Sequence, residues 1–289
     1  MPSLLPFLVL GLALGGVFSL SGVGIVVLYR TTGVLYLAGG AVGAVGAFTA
    51  CSLATTAGLS VWPAAALGVA LSAAITLLYG LLLGPRLAQR EPLVKAAATL
   101  GLTLGLLGTM SWIWGAQTYS LSLPTTAWGI VLGTVHVNGT QLVSLALGLL
   151  LTAVTALFLD RTALGTAMRA LADDRESSAL LGVPVRRVEA AAWLGSGVVF
   201  GVAGIVLSNL VGLDINGLTF LIISGLAAAL VGRLESLWAT LAAGLVIGIA
   251  QSLLTPVASL SSYRSMTPFL VAIAVVLVMA VRRPSQTRV

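Results

Sequence analysis

From Gly33 to Gly84 the chain runs without a single charged residue. A transmembrane helix uses about 20 consecutive apolar residues, so a run of this length cannot be one crossing and must double back. Ala57-Gly58-Leu59-Ser60-Val61-Trp62-Pro63 supplies turn residues and an interfacial tryptophan near its middle. The rest of the chain agrees with this stretch. Of its 289 residues 58% are hydrophobic and 8% charged, with a mean hydropathy of +1.11. Ordinary globular domains carry about 25% charged residues. The sequence therefore predicts an all-α fold, a polytopic transmembrane helix bundle. It forms one domain over residues 1–289, since no polar linker divides it.

Charges and turn signals mark out the crossings. The first is Leu4–Leu28, closed by Tyr29 and Arg30, and the absence of Lys or Arg before Arg30 predicts a retained span in place of a cleaved signal peptide. The doubled-back pair ends at Arg86 and Arg90, and a fourth span covers about Ala96–Trp114. Four aromatic residues, Trp112, Trp114, Tyr119 and Trp128, suggest an interfacial belt around an uncharged loop, Gly115–Thr140. In that loop Asn138-Gly139 lies between two β-prone arms, the pattern of a tight hairpin. Further spans are expected near Leu142–Leu159, Ala190–Val211, Leu218–Val231, Leu237–Leu254 and Met266–Val281. The total is nine, or eight plus a re-entrant segment if the short run Leu218–Val231 does not cross. Nine alternating crossings place thirteen of the fourteen Lys and Arg residues on one side and only Arg264 on the other. By the positive-inside rule the N-terminus is then outside and the C-terminus cytoplasmic.

The chemistry that the chain lacks narrows its function. No Asp, Glu or His lies deep in a predicted span, which argues against a proton relay. The only lysine, Lys95, has no glycine-rich loop before it, so there is no P-loop and no site for ATP hydrolysis. His136, the only histidine, falls in a predicted loop, and no catalytic residues are expected. Cys51 is alone, which excludes an internal disulfide and a cysteine-based metal site. Asn138-Gly139-Thr140 also matches a glycosylation triplet, but such triplets arise often by chance and this one better marks the hairpin. The net charge of +6 follows from the inward arginines and gives no reason to invoke nucleic acid. Backbone carbonyls at broken helices can bind sodium, so a sodium-coupled carrier or channel remains open as an alternative.

Ten of the 22 charged residues crowd into Asp160–Glu189. The spacing of Ala167, Leu171, Leu180 and Leu181 against Arg169, Asp173 and Glu176 predicts an amphipathic helix. Gly182 suits a helix C′ position, and Pro184 suits the first turn of a second helix leading into the sixth span. A topology anchor would need only Lys or Arg. Mixed charge, an apolar stripe and a defined bend point instead to docking of a soluble partner.

Arg161–Ala170, then Asp173-Asp174, then Ala179-Leu180-Leu181-Gly182-Val183, together resemble the cytoplasmic coupling loop of the branched-chain amino acid ABC transporter permease family. Gly195–Leu207 and Gly225–Gly248 are similar to the next two blocks of that family in order and spacing, and Gly11–Tyr29 and Gly33–Ala47 match its first two spans more loosely. The resemblance implies a bacterial inner-membrane permease subunit that works with two cytoplasmic ATPase subunits, a second permease chain and an external solute-binding protein. ATP and Mg would be bound by the ATPases, and this chain would hold no cofactor or metal. It also implies that Arg169, Asp173, Asp174, Gly182 and Pro184 lie in the ATPase-coupling loop within 160–189. The expected cargo is a small solute, branched-chain or other apolar amino acids first, with urea or a short amide as the alternative. One stretch departs from the family. Where the second span usually carries a polar signature, this chain has Tyr36-Leu37-Ala38-Gly39-Gly40-Ala41. Either Tyr36, Gly39 and Gly40 line the translocation pathway through a hydroxyl and an approachable backbone, or the glycines serve close helix packing.

Overall fold

A computed structural model describes residues 5–88, 90–115, 119–121, 123–126, 128–132, 135–220, 222–256 and 266–282. Its helices follow the predicted crossings: α1 (Leu5–Thr32), α2 (Gly39–Thr55), α3 (Val61–Leu87), α4 (Pro92–Trp114) and α5 (Gly139–Arg161). Two short helices, α6 (Ala163–Asp173) and α7 (Arg175–Leu180), lead to α8 (Val185–Val211). Then come α9 (Ile215–Phe220), α10 (Ile222–Val231), α11 (Leu237–Leu253) and α12 (Thr267–Arg282). Among the described residues α1, α3, α4, α5 and α8 are long and apolar enough to cross a membrane alone. The run expected at Leu218–Val231 is helical over both described stretches, 215–220 and 222–231.

The packing is built on backbone proximity. α1 is the axis of the bundle, packed against α11, α5, α8 and α10. Without competing water, helices in a bilayer associate through close van der Waals contact and interhelical hydrogen bonds, and small residues permit both. A Cβ at Gly11 would lie 2.7 Å from the Cα of Ile249, and one at Gly15 the same distance from that of Leu245, so α1 and α11 touch main chain to main chain. Hydroxyls complete the contacts. Ser19 Oγ donates to Leu241 O across α1 and α11 (3.0 Å), Ser144 Oγ to Ala13 O across α5 and α1 (2.5 Å), and Ser72 Oγ to Val42 O across α3 and α2 (3.0 Å).

The junctions of α1–α2, α3–α4, α6–α7 and α10–α11 gather at one end around a cleft of about 680 Å3, where Arg30, Lys95, Arg175 and Arg233 meet. At this basic end Arg30 Nη1 donates to Glu235 O (3.1 Å). Arg233 and Leu234, joining α10 to α11, have φ of +57° and +56°. An L-residue in this left-handed region carries a cost of about 1–2 kcal/mol. Arg233→Gly should therefore raise the thermal midpoint of the detergent-solubilised protein, with a net gain of about 0.5–1 kcal/mol after glycine's greater chain entropy is deducted; an unchanged or lower midpoint counts against the strain.

The opposite end holds a two-stranded antiparallel hairpin, β1 (Gly129–Leu132) with β2 (Val135–Asn138), in which Gly129 pairs with Asn138 and Leu132 with Val135. A hairpin is present in the expected loop, but it is not the predicted one: Asn138 ends its second strand, and the arm expected after Asn138-Gly139 is the first turn of α5. Asn138 caps α5, its side chain accepting from Thr140 N (3.1 Å) while Gln141 Oε1 accepts from Asn138 N (3.1 Å). Gln141 completes a capping box, which outcompetes the turn. His136 stands exposed on β2, and Cys51 is buried.

Candidate functional site

The mixed-charge segment folds from its caps outward. α5 ends at Arg161, and Thr162 turns the chain, its hydroxyl donating to Phe158 O (2.7 Å) and accepting from Gly165 N (2.9 Å). Gly165 then lets α6 fold back onto α5, since a Cβ there would lie 2.5 Å from the Cα of Leu159. Met168 and Leu171 are buried in the cluster formed with the basic-end halves of α1 and α8. Arg169 Nη1 meets Asp160 Oδ1 at 3.1 Å, an exposed pair that contributes at most about 1 kcal/mol. Asp173 borders the basic cleft.

Asp174 breaks the amphipathic helix expected from the spacing. Its Oδ1 accepts from Glu176 N (2.9 Å) and Ser177 N (3.1 Å), and its Oδ2 from Ser177 Oγ (2.5 Å). These bonds, the Ser177 hydroxyl foremost, hold the carboxyl below its ordinary pKa. Once α7 restarts at Arg175 it takes a new direction, and the predicted single stripe divides. Leu171 points inward, whereas Leu180 and Leu181 stand 90% and 85% exposed. The residues that announce this break, Asp174 followed three positions later by Ser177, form an N-cap pattern that the apolar periodicity overshadowed.

The predicted bend is where it was expected. Val183 N donates to Ser178 O (3.1 Å) and Gly182 N to Ala179 O (3.1 Å), the paired bonds of a Schellman motif. Gly182 sits at C′ with φ +87°, and among the described residues no other atom lies within 4 Å of an added Cβ, so it is required for its backbone angle and not for space. Pro184 takes the N-cap position of α8, one residue before the first helical turn in which it was expected, and its carbonyl accepts from Val188 N (3.1 Å). Arg175 grips Glu189 Oε1 through Nη2 (2.9 Å) and Nε (3.0 Å), fastening α7 to the first turn of α8. The result is a braced arm that carries two exposed leucines on a charged surface.

Tyr36, Gly39 and Gly40 lie deeper. Residues 33–38 form a non-helical link whose backbone is stitched to α4 by Thr99, which accepts from Leu37 N (3.3 Å) and donates to Leu35 O (3.1 Å). Tyr36 is fully buried among Tyr79, Trp193 and Phe200, with ring centroids 5.3–5.8 Å away. A Cβ at Gly39 would come within 2.6 Å of the Phe200 ring, and one at Gly40 within 2.9 Å of Ile222 Cβ. Both glycines are closed against neighbouring helices in this conformation.

The sequence pattern of the family described as branched-chain amino acid transport system / permease component matches residues 7–279. The probable branched-chain amino acid transport permease protein LivH of Methanocaldococcus jannaschii is 28% identical over 244 residues, covering 82% of this chain and 76% of that protein. BraD, the high-affinity branched-chain amino acid transport system permease protein of Pseudomonas aeruginosa, is 27% identical over 85% of this chain and 84% of its own. LivH of Escherichia coli K12, which bears the same description, is 25% identical over 93% and 91%. Among solved structures, one titled PsaBC from Streptococcus pneumoniae in complex with Fab aligns over 99% of this chain and 94% of that chain, with a TM-score of 0.50 and 15% identity, and so shares the fold. A mostly helical bundle, a capped and braced mixed-charge arm and a family match over nearly the whole length lead to one conclusion: the chain belongs to the branched-chain amino acid transport permease family.

Proposed function

We propose that the chain is the permease subunit of an ATP-driven importer in the bacterial inner membrane, carrying branched-chain or other apolar amino acids. In this reading the chain crosses nine times, its N-terminus is outside, and residues 160–189 form a cytoplasmic coupling loop. The observation that carries it is the arm itself. Leu180 and Leu181 together present an apolar tip that only a partner surface would cover, and Arg175–Glu189 with the Met168 and Leu171 anchor makes the arm stiff enough to transmit force. Arg169, Asp173 and Asp174 would flank the tip, while Gly182 and Pro184 would set its angle. Two cytoplasmic ATPases, binding ATP and Mg, would engage this arm and that of a second permease, and an external binding protein would deliver the solute.

In the same reading Tyr36, Gly39 and Gly40 belong to a closed section of the pathway, which opens when α8 withdraws Phe200 from Gly39. The importer reading is tested at Gly182. Valine there meets a left-handed backbone at a cost of about 1–2 kcal/mol, and a free-energy change of that size alters a two-state population roughly 5–30-fold. Uptake of leucine by the assembled importer in proteoliposomes should fall by about that factor for Gly182→Val, while the permease still inserts and the ATPases still hydrolyse ATP. Unaltered uptake would remove the coupling role.

A further inference from the structure

At the end opposite the basic cleft, α1, the α8–α9 junction and α11 enclose a cavity of about 470 Å3. Small-molecule sites commonly measure about 300–1,000 Å3. Its wall on the α1 side is apolar, formed by Leu10, Leu14 and Phe18, while Asp214, Gln251 and Ser252 bring polar atoms to the other side. Ser252 is 2% exposed, and among the described residues its hydroxyl has no hydrogen-bond partner. The same is true of the buried Gln251 Oε1. Leaving such groups unpaired costs about 1–3 kcal/mol each, so two of them lining one pocket call for polar partners there, which water or the polar atoms of a ligand supply. Asp214 is the only charged residue lining the cavity among the described residues. Its Oδ2 accepts from Gly217 N at 2.6 Å, which fixes the carboxylate at the start of α9.

We infer that this cavity binds a small solute with a primary ammonium beside an apolar side chain. The ammonium meets Asp214, the side chain rests against Leu14 and Phe18, and Ser252 donates its hydroxyl to an acceptor such as a carboxylate. A neutral amide would leave the single carboxylate uncompensated, and an apolar acid without an amine would be repelled by it. The assignment deepens the importer reading and rests on it for the solute being an amino acid. The pairing of a carboxylate with an apolar wall does not depend on it.

The test uses the assembled importer in nanodiscs, with Thr255→Cys at the cavity wall in a Cys51→Ala background. Labelling by N-ethylmaleimide is timed with L-leucine, with 3-methylbutylamine, which keeps the ammonium and the branched chain, and with 4-methylpentanoate, which keeps the chain and a carboxylate. Leucine and the amine should each slow labelling at least fivefold, 4-methylpentanoate should not, and adding Asp214→Asn should abolish protection by the amine. Leu14→Trp, which fills the apolar side, should also abolish it and serves if Asp214→Asn fails to assemble. Equal protection by the acid, or protection that survives both substitutions, would overturn the assignment. Leucine uptake by the same importer separates the two claims. Uptake without protection removes the cavity site and leaves the importer reading, whereas protection by the amine without uptake of any amino acid keeps the site and removes the amino acid cargo.

Discussion

Leu180→Asp combined with Leu181→Asp should leave a folded permease that no longer retains its ATPase subunits. Both side chains already face outward, at 90% and 85% exposure, so the folded chain loses little when they change. A partner that covers them loses the burial of two leucines, about 1.5–3 kcal/mol each. It must also desolvate two carboxylates. Several kcal/mol corresponds to about a thousandfold in affinity, because each 1.4 kcal/mol is roughly tenfold. Copurification of the ATPases through a tag on the permease should fall to background, and uptake with it. Retained ATPases and retained uptake would show that the arm's tip is not the contact. Arg169→Glu, which disturbs only an exposed ion pair, should cost far less in the same assay.

Gly204→Leu should have the opposite signature, loss of the folded permease itself. A Cβ at Gly204 would lie 2.7 Å from the Cα of Gly43 and closer still to that residue's carbonyl group, so α8 and α2 meet there without an intervening side chain. Overpacking a core commonly costs about 1–3 kcal/mol when side chains can yield. Here the obstacle is main chain on both sides, and the whole of α2 must move. That movement would also pull on the contacts that α2 makes with α3 through Ser72. The expected result is aggregation in detergent and no monodisperse peak. The control is Gly105→Leu on α4, where an added Cβ meets nothing within 4 Å among the described residues, and a normal elution profile is expected. If Gly204→Leu elutes as the parent does, the α2–α8 contact is wrong.

Much of this bundle was legible in the sequence because each crossing leaves a long uncharged run with a charge or turn at its end. The link between α2 and α3, residues 56–60, overlaps Ala57–Pro63 for that reason, and Gly182 marks the end of α7 because no other residue fits its left-handed backbone so readily. Local competition was harder to see. Asn138-Gly139 satisfies two rules, hairpin turn and helix cap, and Gln141 three residues on, just before an apolar run, is the capping-box signature that decides for the cap. The stripe from Ala167 to Leu181 has the period of one helix, and the carboxylate of Asp174 ends it by offering backbone amides a better partner. The cavity between α1, the α8–α9 junction and α11 was not legible at all. Leu14 is separated from both Asp214 and Ser252 by 200 residues or more and shares no motif with them, so only packing of α1 against the α8–α9 junction and α11 reveals them as neighbours.

The central position of α1 also sets a timetable. Its bond to α11, from Ser19 to Leu241, joins residues separated by 222 positions. At synthesis rates of about 5–20 residues per second the first helix enters the bilayer roughly 10–40 seconds before the partner for its glycine face exists. During that interval the groove of Gly11 and Gly15 is filled by lipid or by the insertion machinery. Assembly of the axis is therefore a late, post-insertion event, and the last helices made decide whether the first one was placed correctly.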